Sequence, residues 1–185
     1  MSDRQTQIIN AALAVFSKYG VSKSTMNDIA QEAGISRQTL YNAYPGKEEL
    51  LRASVRWTIE TTFQEVDAAW AEETDLSLKL EKFFEIMPLR YYDMAHSSPE
   101  MKELLDGIHK VAAEEMEEAQ KGWEHRFETL FGAQKGAENL GDPKSFADFF
   151  FTTSINAKYN ADVREVVESR LSHLKASVLA RLAQT

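Results

Sequence analysis

Residues 25–47, TMNDIAQEAGISRQTLYNAYPGK, constrain the fold more tightly than any other stretch of this 185-residue chain. Met26, Ile29, Ala30 and Ala33 recur at helical spacing behind Thr25, whose hydroxyl suits the free N–H groups of a helix start. Gly34 then falls where a residue just past a helix end commonly takes a left-handed backbone. Ile35 resumes apolar packing, Ser36 caps a second helix predicted over Arg37–Tyr44, and Pro45 with Gly46 stops it. Leu40 and Ala43 are expected on the inner face of that helix, with Arg37, Gln38, Thr39, Tyr41 and Asn42 projecting outward. Ala30 and Gly34 are small enough to let two short helices cross closely. The pattern predicts a helix-turn-helix whose second helix begins exposed, as insertion into a DNA major groove requires.

The outward residues have matching chemistry. Arg37 and Gln38 can hydrogen-bond base edges, and Tyr41 and Asn42 complete the set expected to determine sequence preference. Thr39 and Tyr41 also suit a thymine methyl or a phosphate oxygen. Thr25, Ser36 and Lys47 lie at helix N-termini, which favour phosphate, and Tyr44 is counted among the contact residues. The competing reading, two surface helices of an all-α protein, requires caps, glycine and small residues to fall in register by accident.

Ala11–Leu51, AALAVFSKYGVSKSTMNDIAQEAGISRQTLYNAYPGKEELL, resembles the DNA-binding domain of TetR-family transcriptional regulators, including the TLYNAYPGKEEL run that joins the second helix to the next. Such proteins usually carry phenylalanine where Tyr44 stands and a less flexible residue than Gly46. The resemblance implies an all-helical homodimer whose rear domain binds a small molecule, and it covers only the N-terminal part of the chain.

Charge divides along the sequence. Residues 1–56 hold 7 Lys and Arg against 5 Asp and Glu, whereas the remainder holds 14 against 24. An acidic rear is repelled by DNA, so the split turns the N-terminal part toward phosphate. The absence of cysteine excludes disulfides, thiol nucleophiles and cysteine-based zinc sites. No apolar run approaches a membrane span, and MSDRQTQ lacks the apolar core of a signal peptide, so the cytoplasm is the expected location and no membrane partner is expected.

The rest of the chain reads as helices, about nine in all. Ile8, Ala12, Val15, Phe16 and Tyr19 form an amphipathic stripe over Arg4–Tyr19, closed by Gly20 and expected to pack across the helix-turn-helix. A long helix starts at Lys47, carries Leu51, Val55, Ile59, Phe63, Val66 and Trp70 on one side, and ends near Glu73. Leu76, Leu80, Phe83, Phe84, Met87 and Tyr91 continue the period until Pro88 kinks or ends it. His96 to Pro99 reads as a turn, followed by a short helix over Glu100–Asp106. A longer helix comes next, through Ile108, Ala112, Met116, Ala119, Trp123, Phe127 and Leu130. GAQKGAENLGDP reads as a mobile surface loop. Two helices close the chain, Pro143–Tyr159 behind Asp142 and another from Asn160 or Asp162 to about Leu182. The resulting expectation is an all-α fold with residues 1–46 as the DNA-binding domain and 47–185 as an effector-binding and dimerisation domain.

Candidate effector-binding residues are Ile59, Phe63, Phe83, Met87, Tyr91, Tyr92, His109, Met116 and Asn156, because pockets combine apolar walls with a few orienting polar groups. The same residues can equally be plain core. Three successive phenylalanines, Phe149, Phe150 and Phe151, cannot share one helix face, and Val167, Leu171, Leu174 and Val178 form a stripe on the last helix. These seven are the expected homodimer interface. Asp93-x-x-His96 and Asp106-x-x-His109 echo carboxylate–histidine metal spacing, but a chain with 29 acidic residues produces such pairs by chance. No catalytic residue, metal site or cofactor is expected. Two functions remain open: a regulator, most simply a repressor, that binds an inverted-repeat operator in double-stranded DNA and is released by a small effector, or one whose rear domain only dimerises or binds a protein.

Overall fold

The structure is a computed structural model that describes residues 2–184, with the side chain of His109 excepted. Among the described residues it is all-α, as the helical periodicity predicts, and no helix is long and apolar enough to cross a membrane. The helices are α1 Asp3–Lys23, α2 Met26–Glu32, α3 Arg37–Ala43, α4 Lys47–Ala71, α5 Leu76–Phe84, α6 Arg90–Ser97, α7 Pro99–Val111, α8 Ala113–Gly132, α9 Pro143–Asn156 and α10 Arg164–Leu182. A π-helical segment, Glu85–Leu89, joins α5 to α6, and a 3-10 turn, Ala137–Leu140, precedes α9.

The chain forms two compact units. The first comprises the residues up to Thr61 together with Met94–Met116; the second comprises Thr62–Asp93 and the residues from Glu117 onward. In the first, Ile8, Ile9, Ala12, Val15 and Phe16 of α1 pack with Ile29, Leu40, Leu50 and Leu51, and Leu104 of α7 joins the same core. The pairing of α7 with α1 has a polar clasp beside it. Glu103 accepts hydrogen bonds from the hydroxyl and the backbone N–H of Ser22, at 2.5 and 3.1 Å, and these bonds hold its carboxyl below the usual range. Glu115, almost fully buried, receives Arg56 at 2.8 Å and lies 3.7 Å from Arg52.

The second unit is built on aromatic rings. Phe83, Phe127, Phe131 and Phe150 are among the most deeply buried side chains, and Phe127 stands 4.8 Å from both Phe83 and Phe150. Trp123 and Trp70 border this cluster, with the Trp70 indole N–H donating to the Lys79 carbonyl at 2.8 Å. Burial of such rings supplies the hydrophobic driving force for this half of the chain.

Several expected boundaries need correction. α1 is interrupted at Gly20 as expected, where φ is +76°, but helical turn resumes beyond this kink as far as Lys23. His96 and Ser97 belong to α6, and Ser98 is the cap of α7, accepting from the Met101 N–H. The break between the next two helices falls at Ala112, not after Asp106, because Ala112 leaves helical geometry while its apolar side chain stays buried. Pro88 does not end the helical course; it lies in the π-helical segment between α5 and α6, which accommodates its missing N–H. α9 ends at Asn156 and α10 begins at Arg164, the intervening residues being held by Arg170, which donates to the carbonyls of Ala157 and Tyr159.

The stretch read as a mobile loop, residues 132–143, is tied down. Leu140 is buried, the Asn139 amide donates to the Gln184 carbonyl at 2.8 Å, and Arg181 donates to the Asn139 carbonyl at 2.9 Å. Gly136 makes this approach possible: its φ is +82°, and a Cβ built there would lie 2.1 Å from the Leu182 carbonyl oxygen. Gly136→Ala is therefore expected to lower stability by about 1–3 kcal/mol, as read by chemical denaturation.

The α10 stripe also finds partners within its own chain. Val167, Leu171 and Val178 are buried, and on α9 Phe150 and Phe151 are buried as well. These five side chains have little surface left for a second copy, which corrects the expected interface. Of the seven, Phe149, 52% exposed, and the half-buried Leu174 keep accessible surface.

Candidate nucleic-acid interface

The first unit holds α2 and α3 in place by satisfying the backbone groups that short helices leave open. Thr25 and Asp28 cap α2 reciprocally: the Asp28 N–H donates to the Thr25 hydroxyl oxygen at 3.2 Å, and the Thr25 N–H donates to the Asp28 carboxylate at 3.0 Å. The Thr25 hydroxyl also donates to that carboxylate, and these bonds keep Asp28 below the ordinary carboxylate range. At the other end Gly34 has φ +62°, the Ile35 N–H reaches the Ala30 carbonyl at 2.9 Å, and the Gly34 N–H reaches the Gln31 carbonyl at 3.0 Å. This is the helix ending that the sequence predicts. Gln7 of α1 donates to the Ala33 carbonyl at 2.8 Å, tying the turn to the long first helix.

Ser36 then caps α3, accepting from the Thr39 N–H at 3.1 Å, and its hydroxyl lies 2.9 Å from that of Thr39. Leu40 is fully buried, which fixes the rotation of α3. Ala43, expected to face inward beside it, is exposed; Tyr44 takes the inner position instead. The Tyr44 ring belongs to the core, and burial pushes its hydroxyl pKa up, so its place among the contact residues is corrected. Leu40 and Tyr44 are one turn apart, the natural spacing for two anchors on one face.

With those anchors inside, Arg37, Gln38, Tyr41 and Asn42 are exposed on α3, Tyr41 at 48%. Two of them are oriented by hydrogen bonds. Gln38 donates from its amide nitrogen to the Asn42 side-chain oxygen at 2.8 Å, and the Arg37 Nε–H donates to the side-chain oxygen of Asn27 on α2. The pairing with Asn27 has no signature in sequence spacing. Neither does the position of Lys47, whose ammonium donates to the carbonyls of Val21 at 2.6 Å and Ser24 at 2.9 Å. Lys47 thus clasps the bend between α1 and α2 from the first turn of α4. Ser24, buried beneath it, donates to the Gly20 carbonyl at 2.6 Å.

The expected effector-binding residues divide between the two units. Ile59 and Met116 lie half-buried in the first unit, and the side chain of His109 is outside the described residues. In the second unit Phe63 packs on Trp123 at 4.6 Å beneath the Arg126 guanidinium, and Phe83 sits within the ring cluster. The Tyr92 hydroxyl donates to the Ala161 carbonyl at 3.3 Å. Met87 is half-buried, and the Lys158 amine, drawn down to about 8 by burial, lies 3.6 Å from the Tyr91 ring centre. Asn156 lines a surface groove between α9 and α10 with Thr152, Thr153, Arg170 and Leu174.

Residues 8–54 match the sequence model of the bacterial regulatory proteins of the tetR family. The HTH-type transcriptional regulator SrpR of Pseudomonas putida is 43% identical over 51 residues, 28% of this chain and 24% of that protein. A probable acrEF/envCD operon repressor of Escherichia coli is 41% identical over 44 residues, 24% of this chain and 20% of that protein. The matched stretch thus spans about a quarter of these curated relatives. A transcriptional regulator from Cytophaga hutchinsonii shares the fold across 97% of this chain and 98% of its own, with TM-score 0.75 at 21% identity.

Proposed function

We propose, from the premise that this chain belongs to the TetR family of transcriptional regulators, that it binds an inverted-repeat operator as a homodimer in the cytoplasm and represses transcription until a small apolar or amphipathic effector releases it. One observation carries the DNA reading: the reciprocal cap at Thr25, the left-handed Gly34 and the Ser36 cap together hold α3 with Arg37, Gln38, Tyr41 and Asn42 outward. Arg37 and Gln38 read base edges, Asn42 steadies Gln38, and Thr39 and Tyr41 reach a thymine methyl or phosphate. Thr25 and Ser36 offer helix N-terminal N–H groups to phosphate, and Lys47 adds positive charge beside them. Residues 1–46 are the DNA-reading part, and 47–185 the effector and dimerisation part. The similarity to an operon repressor supports repression. Selection of binding sequences from a random duplex pool by the full chain tests this reading; enrichment of an inverted repeat supports it, and recovery of no preferred sequence sinks it.

The dimer surface we assign is the outer side of α9 and α10. Phe149, Val163 and Val166 are 52%, 51% and 36% exposed there, and the groove through Thr152, Asn156 and Leu174 lies between the two helices. Two-fold pairing of such a surface gives a four-helix bundle and sets two recognition helices on one face of DNA.

A second reading, in which the rear part only dimerises or binds a protein, is favoured by the ring-to-ring packing of Phe63 and Phe83, which fills space an effector needs. The two separate by measurement. In a thermal-shift series against lipophilic cations, acyl-CoA esters, phenols and antibiotics, an effector at 100 times its dissociation constant adds about 2.7 kcal/mol. To release DNA nearly completely it must favour the DNA-incompetent form by roughly 5.5 kcal/mol. α4, continuous from Lys47 to Ala71, is the element we expect to carry that change. A compound that stabilises the protein yet leaves operator affinity untouched at saturation excludes it as the effector, and a series without any stabilising compound favours the dimer-only reading.

A further inference from the structure

We infer that Asn27, on α2, is a positioning residue for sequence readout: it fixes the Arg37 guanidinium so that its end-on pair of Nη groups faces a guanine. The inference rests on the DNA-reading role of α3. Asn27 and Arg37 are both exposed, ten residues apart on different helices, and the Nε–H of Arg37 donates to the Asn27 side-chain oxygen.

A guanidinium carries five N–H donors in a fixed plane. Once Nε–H is committed to Asn27, the remaining four sit on the two terminal nitrogens, whose parallel N–H bonds match the O6 and N7 acceptors of guanine in the major groove. An unrestrained arginine reaches phosphates as readily as bases, and ordering its long side chain opposes binding. Asn27 removes both problems: it lowers the number of rotamers to be frozen and turns the fork in one direction. Asn27 itself is held by the first turn of α2, whose N-terminus is fixed by the reciprocal Thr25–Asp28 cap. The neighbouring Asp28 carboxylate is already occupied by Thr25, so an uncharged amide, not a carboxylate, meets the guanidinium. Asp28 and Arg37 also attract each other through space. On the same helix Gln38 is steadied by Asn42, which leaves its oxygen and a second N–H for the acceptor–donor pair of adenine. Each α3 base reader thus has its own amide support, one from α2 and one from α3.

The test is a double-mutant cycle on the full chain with the operator it selects and with duplexes substituted at each base pair of one half-site. Asn27→Ala is expected to reduce affinity for the selected operator roughly three- to tenfold, the range for releasing one immobilised long side chain. Its discrimination at the guanine read by Arg37 should shrink, with the unfolding midpoint unchanged. Arg37→Ala should abolish preference at that base pair, and adding Asn27→Ala to it should change nothing further. If Asn27→Ala costs as much in the Arg37→Ala background, or alters preference at a different base pair, Asn27 contacts DNA on its own and the inference is overturned. If Arg37→Ala leaves every base preference intact, the underlying reading of α3 fails, and the inference with it.

Discussion

Replacing Phe149 and Val166 together by aspartate is expected to convert the protein to a monomer that keeps its helical content and loses operator binding, by a thousandfold or more toward the non-specific level, about the smallest ratio separating specific from non-specific DNA affinity. Both side chains are exposed in the single chain, so neither substitution disturbs the core. Two negative charges facing their symmetry mates across a two-fold interface are desolvated and repelled, and this opposes association strongly. Loss of the dimer removes one of two half-site contacts, and one short recognition helix supplies too few base contacts for useful specificity. Sedimentation and circular dichroism check the first half of the expectation, and operator titration checks the second. A double variant that stays dimeric places the interface elsewhere. Charged substitutions at Val178 cannot serve this purpose, because that side chain is already buried in the single chain and a charge there would disrupt folding.

Phe127→Ala is expected to cost about 3–5 kcal/mol of stability, the largest effect of any single substitution considered. The ring has no exposure and lies within ring-contact distance of Phe83, Trp123, Phe131 and Phe150 from three helices. Truncation removes the transfer free energy and leaves a cavity whose aromatic walls cannot collapse easily. Folded domains hold only about 5–15 kcal/mol in reserve, so the variant should lose a large share of its stability. Phe149→Ala makes the contrast: the same side chain, but on the exposed face of α9. Its stability should change by less than about 0.5 kcal/mol in the monomer, because surface substitutions rarely do more. Calorimetry on both variants distinguishes a buried phenylalanine from an exposed one.

The local structure of the DNA-reading segment was legible because its signals act over four or five residues. Thr25, Ser36 and Asp142 cap the helices that follow them, and Gly34 takes a left-handed backbone, since these are short-range hydrogen-bond and steric effects. Long-range pairing was not legible. Nothing in the spacing of Met101, Leu104 and Ile108 says that α7 packs on α1, because an apolar helical stripe names a buried face without naming its partner. The same gap explains the dimer surface. The α10 stripe through Val167, Leu171 and Val178 looked unpartnered in sequence, whereas its own chain covers it. The loop at residues 132–143 read as mobile from composition alone, since the carbonyls that Arg181 and Asn139 engage lie far away along the chain. In the recognition segment Asn27 was missed for that reason too: its role depends on an arginine brought near by the turn.

The proposed function places two copies of this chain on one inverted repeat through paired α3 helices. Sedimentation of the full chain mixed with its selected duplex, combined with footprinting of that duplex, tests it directly. Two chains per duplex are expected, protecting half-sites whose centres lie about 34–36 Å apart or a multiple of that spacing. One chain bound to a site without two-fold symmetry would contradict it.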